Sequence, residues 1–308
     1  MTDFMKAMAD EVAAQGGEGC YYTVVTLEPP QEGDTLYHME KVDFRPGNPA
    51  HDCYSVAKSV AVTAAGLLYD RGLLRPEDTL DRFLSAYLTE KTDPRWGRLT
   101  VDQLLRHRTG AASGIDFDLT NAHLWEDPEW LHTLFAAPIT QTPGEEFVYS
   151  DGNYYILGRI VEELLGEDME KLLLREVFVP LGFHANAWSR DVNGHTVGGT
   201  GLYLRTEDMA KIGWLYLNRG AWGDRRIFSE AWADIFLHPP VDRVRYGYAL
   251  TEATADLYLA GGMYNQGLGF DLRTRRVVAW HAFDKAGSLC HGWSAAPIYF
   301  FGKWMNKK

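Results

Sequence analysis

The 308-residue sequence predicts an α+β (mixed α/β) fold, a mainly antiparallel sheet flanked by helices with an all-helical lobe inserted into it. Three observations carry this. Runs rich in β-branched and aromatic residues stand near both ends of the chain: 20–27 and 36–44 at the start, and 245–251, 264–272 and 276–283 at the end. Between them, from about residue 71 to Phe183, the pattern is helical with long loops. At the junction, residues 56–68 are Val, Ala or Leu except for Lys58, Ser59, Thr63 and Gly66, a run apolar nearly all round that belongs in a buried helix. Residues 1–70 and 190–308 are therefore expected to form a sheet lobe and 71–189 a helical insertion, with a cleft between them.

Each element has a local reason. Thr2 or Asp3 can cap a first helix whose apolar stripe is Phe4, Met5, Met8 and Val12, with Gln15, Gly16 and Gly17 as its stop. Pro29, Pro30 and Asp34 mark a turn between the first two strands, which read as a hairpin. The loop 45–49 delivers the chain to the buried helix, which should end at Gly72. Thr100 followed by Gln103 is a capping-box pattern for a helix over 100–107, and 108–114 is a glycine-bearing loop. Helices are expected over 154–165 and 168–177, separated by Gly166. The glycine-rich stretch 198–204 leads to a helix over 206–218 with Thr206 as its cap; it lacks the lysine and spacing of a phosphate-binding loop. Residues 292–308 have no clear assignment.

Composition narrows the function. Hydrophobic residues make up 46% and charged residues 23%, ordinary for a folded globular chain. A formal charge of -12 argues against nucleic acid or an anionic membrane as partner. Cys20, Cys53 and Cys290 show neither metal-ligand nor redox spacing, and no apolar run approaches membrane-spanning length. Residues 1–17 carry Asp3, Asp10 and Glu11 without an apolar centre, so no signal peptide is read there. The expectation is a cytoplasmic protein with reduced thiols, with Cys53 a core residue rather than a nucleophile. The ten histidines form no metal-binding pattern, and neither metal nor cofactor is expected.

Two stretches carry chemistry. Ser55 and Lys58, three residues apart, share a helix face, and Ser55 falls at the helix N-terminus, where unpaired N–H groups favour negative charge. A hydroxyl beside an amine able to take its proton suits an acyl-transfer nucleophile. A capping serine with a snorkelling lysine is the alternative. Tyr149 follows the turn signal Pro143-Gly144 and precedes a helix; a phenol held near a lysine charge can relay protons, while a hydrogen-bonded core tyrosine is the alternative.

Taken together, these stretches resemble the serine β-lactamase and penicillin-binding-protein superfamily, in the branch of class C β-lactamases, D-aminopeptidase-like enzymes and family VIII esterases. The resemblance runs in order from about residue 50 to 280. Ser55-Val56-Ala57-Lys58 is similar to the nucleophile motif, residues 66–80 to the segment after it, and 100–110 to the Thr-x-x-x-Leu-Leu-x-His-x-x-Gly stretch. Tyr149-Ser150-Asp151 resembles the Tyr-x-Asn motif, and 198–213 the Gly-Gly-x-Gly-Leu approach to a helix.

The resemblance implies a β-lactamase/transpeptidase-like fold with the site in the cleft between lobes. It implies that Ser55 is acylated, Lys58 assists its deprotonation and Tyr149 is general base or proton relay. For the third motif, a site-lining strand usually bearing Lys/His-Thr/Ser-Gly, the best match is Ala260-Gly261-Gly262, with the N–H groups of Ser55 and Met263 as the implied oxyanion hole. His281 and the pair His291-Gly292 are rival anchors. Two departures stand out. No cation occupies the third motif, which weakens carboxylate-bearing substrates, and Asp151 replaces asparagine, which should hold Lys58 protonated and shift the base role to Tyr149.

The function this implies is a serine hydrolase acting through an acyl-enzyme, first on small esters, then on amides or D-amino-acid peptides. A non-catalytic relative that binds a ligand in the same cleft, or a weak β-lactamase, is the alternative. Trp125, Trp130 and Phe135 are expected to pack the helical lobe or to line an acyl pocket.

Overall fold

Strand-forming residues from the two ends of the chain meet in one sheet. The computed structural model describes residues 1–14, 20–47, 49–115, 117, 126–238, 245–254 and 256–283. Tyr21–Glu28 pairs antiparallel with His38–Asp43 on one side and with Arg276–Ala282 on the other. Beyond Arg276–Ala282 follow Gln266–Asp271, Leu257–Gly262, Leu250–Thr254 and Tyr246–Gly247, so the seven strands are antiparallel throughout.

Helices cover both faces. The helix Asp3–Ala14 buries Phe4, Met5, Met8 and Val12 against Val24, Leu257, Val278 and Trp280, and Thr2 Oγ1 accepts from Met5 N at 3.3 Å at its start. Each such side chain contributes about 1.5–3 kcal/mol relative to exposure, which secures the outer face. On the inner face Thr206–Leu217 lies across the strands.

Every residue from Ala57 to Leu68 in the helix Ala57–Asp70 is buried, as its uniform apolarity requires. It packs against Gly152–Leu165 and Met169–Leu173 on one side and Glu230–Leu237 on another. The capping box at Thr100 is present in full, with Gln103 N donating to Thr100 Oγ1 at 3.2 Å and Thr100 N to Gln103 Oε1 at 3.0 Å. Trp130 and Phe135 are buried; Trp130 stacks on Phe117 and Phe135 packs on Trp96.

Several local expectations change. Residues 245–251 form a tight hairpin rather than one strand, because Tyr248 and Ala249 both take positive φ (49° and 69°) and Tyr246 pairs with Thr251. The strand expected at 264–272 begins at Gln266, since Tyr264 and Asn265 are also left-handed (φ 59° and 70°) and turn the chain. Thr206 is not the cap: Arg205 holds that position without a side-chain bond, and Thr206 Oγ1 lies 3.0 Å from His281 Nδ1. Asn186–Trp188, within the stretch read as helical, pairs with Leu202–Leu204, which also pairs with His51–Asp52. Among the described residues no helix is long and apolar enough to cross a membrane. Cys290, His291, Trp125 and residues 292–308 lie outside the described residues.

Candidate active site

Ser55 sits in a single 3-10 turn, Tyr54–Val56, that feeds the buried helix. The turn is pinned from below, because Cys53 N donates to Leu202 O at 2.7 Å and Tyr54 N to Asp52 Oδ1 at 2.8 Å. These bonds hold Tyr54 at φ 47°, a left-handed conformation that costs a non-glycine residue about 1–2 kcal/mol and persists only where its surroundings over-determine it. The Tyr54 ring also meets Tyr264 edge-on at 5.1 Å.

One turn beyond Ser55, at the second position of the helix Ala57–Asp70, Lys58 is 1% exposed, and its ammonium meets three acceptors. Nζ donates to Ser55 Oγ at 3.1 Å, to Gly199 O at 2.7 Å and to Asp151 Oδ1. A lysine has three N–H donors, and each has a partner. Burial works against the charge, but the Asp151 carboxylate and Tyr149 outweigh it, and Lys58 titrates above its ordinary range. The snorkelling alternative is thereby excluded.

The glycine-rich stretch explains the third acceptor. A Cβ on Gly199 would fall 2.7 Å from Asp151 O and 2.9 Å from its Cα. Only a residue without a side chain lets this backbone press close enough for its carbonyl to reach Nζ. Local sequence pattern marks the glycines; the partner they approach is invisible without the fold.

From the opposite side, Tyr149 donates its hydroxyl to Ser55 Oγ at 2.7 Å. Lys58 Nζ lies 4.7 Å from the centre of the Tyr149 ring. Asp151 stands at the N-cap of the helix Gly152–Leu165 yet makes no side-chain cap. Its carboxylate turns to Lys58 instead, and Oδ2 accepts from Phe117 N at 3.2 Å. The structure thus brings Ser55, Lys58, Tyr149 and Asp151 into one hydrogen-bonded cluster.

The strand Leu257–Gly262 runs beside the Ser55 turn. Its ladder to Leu250–Thr254 stops at Leu259, short of Ala260, Gly261 and Gly262. Ala260 is 1% exposed and packs in the core, so its side chain presents nothing to the cleft. A Cβ on Gly262 would lie 2.4 Å from Cys53 O, whereas one on Gly261 would meet nothing within 4 Å. Met263 is 40% exposed in the turn that follows, and Gln266 Nε2 donates to its carbonyl at 3.2 Å.

His281, the rival anchor, is fully buried, with Nε2 3.7 Å from Cys53 Sγ and Nδ1 against Thr206. Burial and the neighbouring His51 push it down to about 3, so it is neutral and offers no cation. Burial and the charge of Asp52 push the Cys53 thiol far up, leaving an inert core residue. Among the described residues no three His, Cys, Asp or Glu side chains gather as a metal site.

Sequence reasoning gave no role to His107 or Tyr246, whose rings pack on Tyr149 at 4.5 and 6.2 Å. His107 lay inside a stretch already singled out at 100–110; Tyr246 carried no signal, because its place depends on the unrecognised hairpin.

Among known proteins, the chain is 22% identical over 230 residues to a protein of Escherichia coli O157:H7 provisionally named a D-alanyl-D-alanine carboxypeptidase, covering 58% of this chain and 53% of that protein. The chain spans about half the length of the curated relatives it matches first. The octameric penicillin-binding protein homologue from Pyrococcus abyssi superposes with a TM-score of 0.72 at 19% identity, over 100% of this chain and 78% of that one. EstCE1, a hydrolase with promiscuous acyltransferase activity, superposes with a TM-score of 0.71 at 16% identity, over 93% and 95%. These two likenesses establish the fold. Residues 46–287 match the family model described as Beta-lactamase, and with that match over the greater part of its length the chain belongs to the beta-lactamase family.

Proposed function

We propose that the protein is a serine hydrolase that works through an acyl-enzyme on Ser55, with small uncharged esters as its first substrates and amides behind them. The observation that carries this is the double contact on one oxygen: Ser55 Oγ has Tyr149 OH at 2.7 Å and Lys58 Nζ at 3.1 Å. In this reading Tyr149 reacts as its phenolate, its own proton having passed to solvent, and takes the Ser55 proton as Oγ bonds to the substrate carbonyl carbon. Lys58 keeps its proton, because three acceptors and the Asp151 charge hold the ammonium. The negative charge, held on the Tyr149 oxygen by the fixed Lys58 cation before attack, passes to the substrate carbonyl oxygen as its double bond opens. N–H groups of Ser55 and Met263 receive the carbonyl oxygen as it becomes an oxyanion. Tyr149 returns the proton to the leaving oxygen, and a water activated the same way releases the acyl group.

The substrate class follows from what the cleft withholds. With Ala260, Gly261 and Gly262 at the third motif, no cation is offered there to a substrate carboxylate. Asp151 is engaged with Lys58 and has no amide donor to give a substrate carbonyl. Both features favour neutral esters over β-lactams or carboxyl-terminal peptides. A cytoplasmic, reducing location completes the reading and agrees with Cys53 being a buried thiol outside any disulfide.

Intact-mass spectrometry after exposure to a fluorophosphonate tests it. Wild type should gain one adduct and Ser55→Ala none, after which p-nitrophenyl esters of graded chain length define the acyl preference. Folded wild type that stays unlabelled would overturn the reading in favour of a non-catalytic binder.

A further inference from the structure

We propose that His107 is the positioning residue of Tyr149, holding the phenol on Ser55 from both sides of its own backbone; the proposal rests on the reading of Tyr149 as the base. Val148 N donates to His107 O at 2.8 Å, and Ser150 N donates to His107 Nδ1 at 3.2 Å. The amides immediately before and after Tyr149 are thus tied to a single residue, one to its main chain and one to its side chain. The imidazole also lies against the Tyr149 ring, with centroids 4.5 Å apart and planes at 38°. Position along the chain and tilt of the ring are both set by the same group.

The tautomer needed for this is specified by a third residue. Asn153 Nδ2 is 3.1 Å from Leu104 O and 3.0 Å from His107 Nδ1. A carbonyl only accepts, so the atom facing Leu104 O is the amide nitrogen, and its second hydrogen points at Nδ1. Two donors, from Ser150 N and Asn153 Nδ2, therefore converge on Nδ1, which must be the unprotonated nitrogen, and the ring proton sits on Nε2. Nε2 has no hydrogen-bond partner among the described residues. The rings of Phe147, Tyr154 and Tyr246 wall the imidazole at 5.2–5.6 Å. Burial, aided by the Lys58 charge, pushes His107 well below its ordinary value, so Nδ1 remains an acceptor.

His107 itself is held at φ 55°, in the left-handed region. A branched or bulky residue would not hold that backbone, while asparagine tolerates it. The strain is retained where the chain must present one carbonyl and one ring nitrogen to the same neighbouring strand of loop.

A double-mutant cycle tests the proposal, with kcat and KM for a p-nitrophenyl ester measured in wild type, His107→Asn, Tyr149→Phe and the double variant. His107→Asn keeps the left-handed backbone and removes the ring. The expected result is a fall in kcat of about tenfold or more with little change in KM, since a misplacement near 1 Å is costly. In the Tyr149→Phe background the same substitution should cost no more than about twofold, because the group it positions is gone. Equal losses in both backgrounds would overturn the positioning role while leaving Tyr149 as the base. If Tyr149→Phe alone retains full kcat, the reading of Tyr149 as base fails and this proposal with it. A second measurement needs no variant. Nitrogen NMR of histidine-labelled wild-type protein should show His107 as the Nε2–H tautomer from pH 5 to about 9; a protonated Nδ1 in that range would overturn the proposal.

Discussion

The corner that holds Ser55 and Lys58 and the hairpin end that carries Ala260 to Met263 lie side by side and are built on opposite terms. In the corner every donor of Lys58 is taken, and a glycine backbone is pressed against Asp151 to supply the last acceptor. At the hairpin the ladder to Leu250–Thr254 stops at Leu259, Gly261 faces open space and Met263 stands 40% exposed. Atoms that would handle protons in the proposed mechanism have fixed geometry here. Among the described residues, the hairpin side offers fewer fixed polar contacts than the corner.

Substitutions at the two places should differ accordingly. Lys58→Met should have the largest effect, lowering kcat/KM for ester cleavage by about 10³-fold or more. It should also destabilise the fold by about 3–5 kcal/mol, since Asp151 is left buried without its partner. Steady-state kinetics beside a denaturant titration reads both, and a variant that keeps near-native rates would break the claim that the corner is the catalytic part. On the hairpin, neighbouring glycines should part company. Gly262→Ala pushes a methyl against Cys53 O and should cost about 10–100-fold in acylation rate. Gly261→Ala meets no atom and should stay within about twofold of wild type. Equal effects would mean that the hairpin does not bear on the Ser55 turn.

Little change at neutral pH is expected for Asp151→Asn, and its signature is in the pH profile. Lys58 titrates above its usual value near 10.5 because Asp151 and Tyr149 overcome burial. In the folded state the proton is therefore held longer than in the unfolded chain. Its stabilising contribution is complete below about 10.5 and is lost as pH rises through the folded value. Without the carboxylate, burial prevails, and the ammonium should be lost earlier. The alkaline limb of the acylation profile should move to lower pH. An unmoved limb would show that Asp151 does not hold the charge.

What the sequence made legible follows the range of the forces involved. The buried helix, the Thr100 capping box and the first helix's apolar stripe are written within a few neighbouring residues, and all three stand as read. Ser55 and Lys58 share a helix face, so their contact follows from spacing. The turn at Tyr248 and Ala249 escaped notice because positive φ there is imposed by strand pairing on residues that do not prefer it. Thr206 has the chemistry of a cap, but its hydroxyl is drawn to His281 from a distant strand. Gly199 and His107 were visible as residues and opaque as partners. Their meaning lies in which backbone they approach, and no local pattern encodes that.

The reach of the Lys58 contacts has a consequence for how the protein comes into being. Its acceptors at Asp151 and Gly199 stand 93 and 141 residues further along the chain. A growing polypeptide can form the helix that bears Ser55 early, but the hydroxyl then lacks the surroundings that would arm it. Contacts of such separation form only once long loops have closed. If Ser55 is the nucleophile proposed, an incomplete chain leaving the ribosome should be chemically quiet, and reactivity at Ser55 should report that distant parts of the molecule have docked.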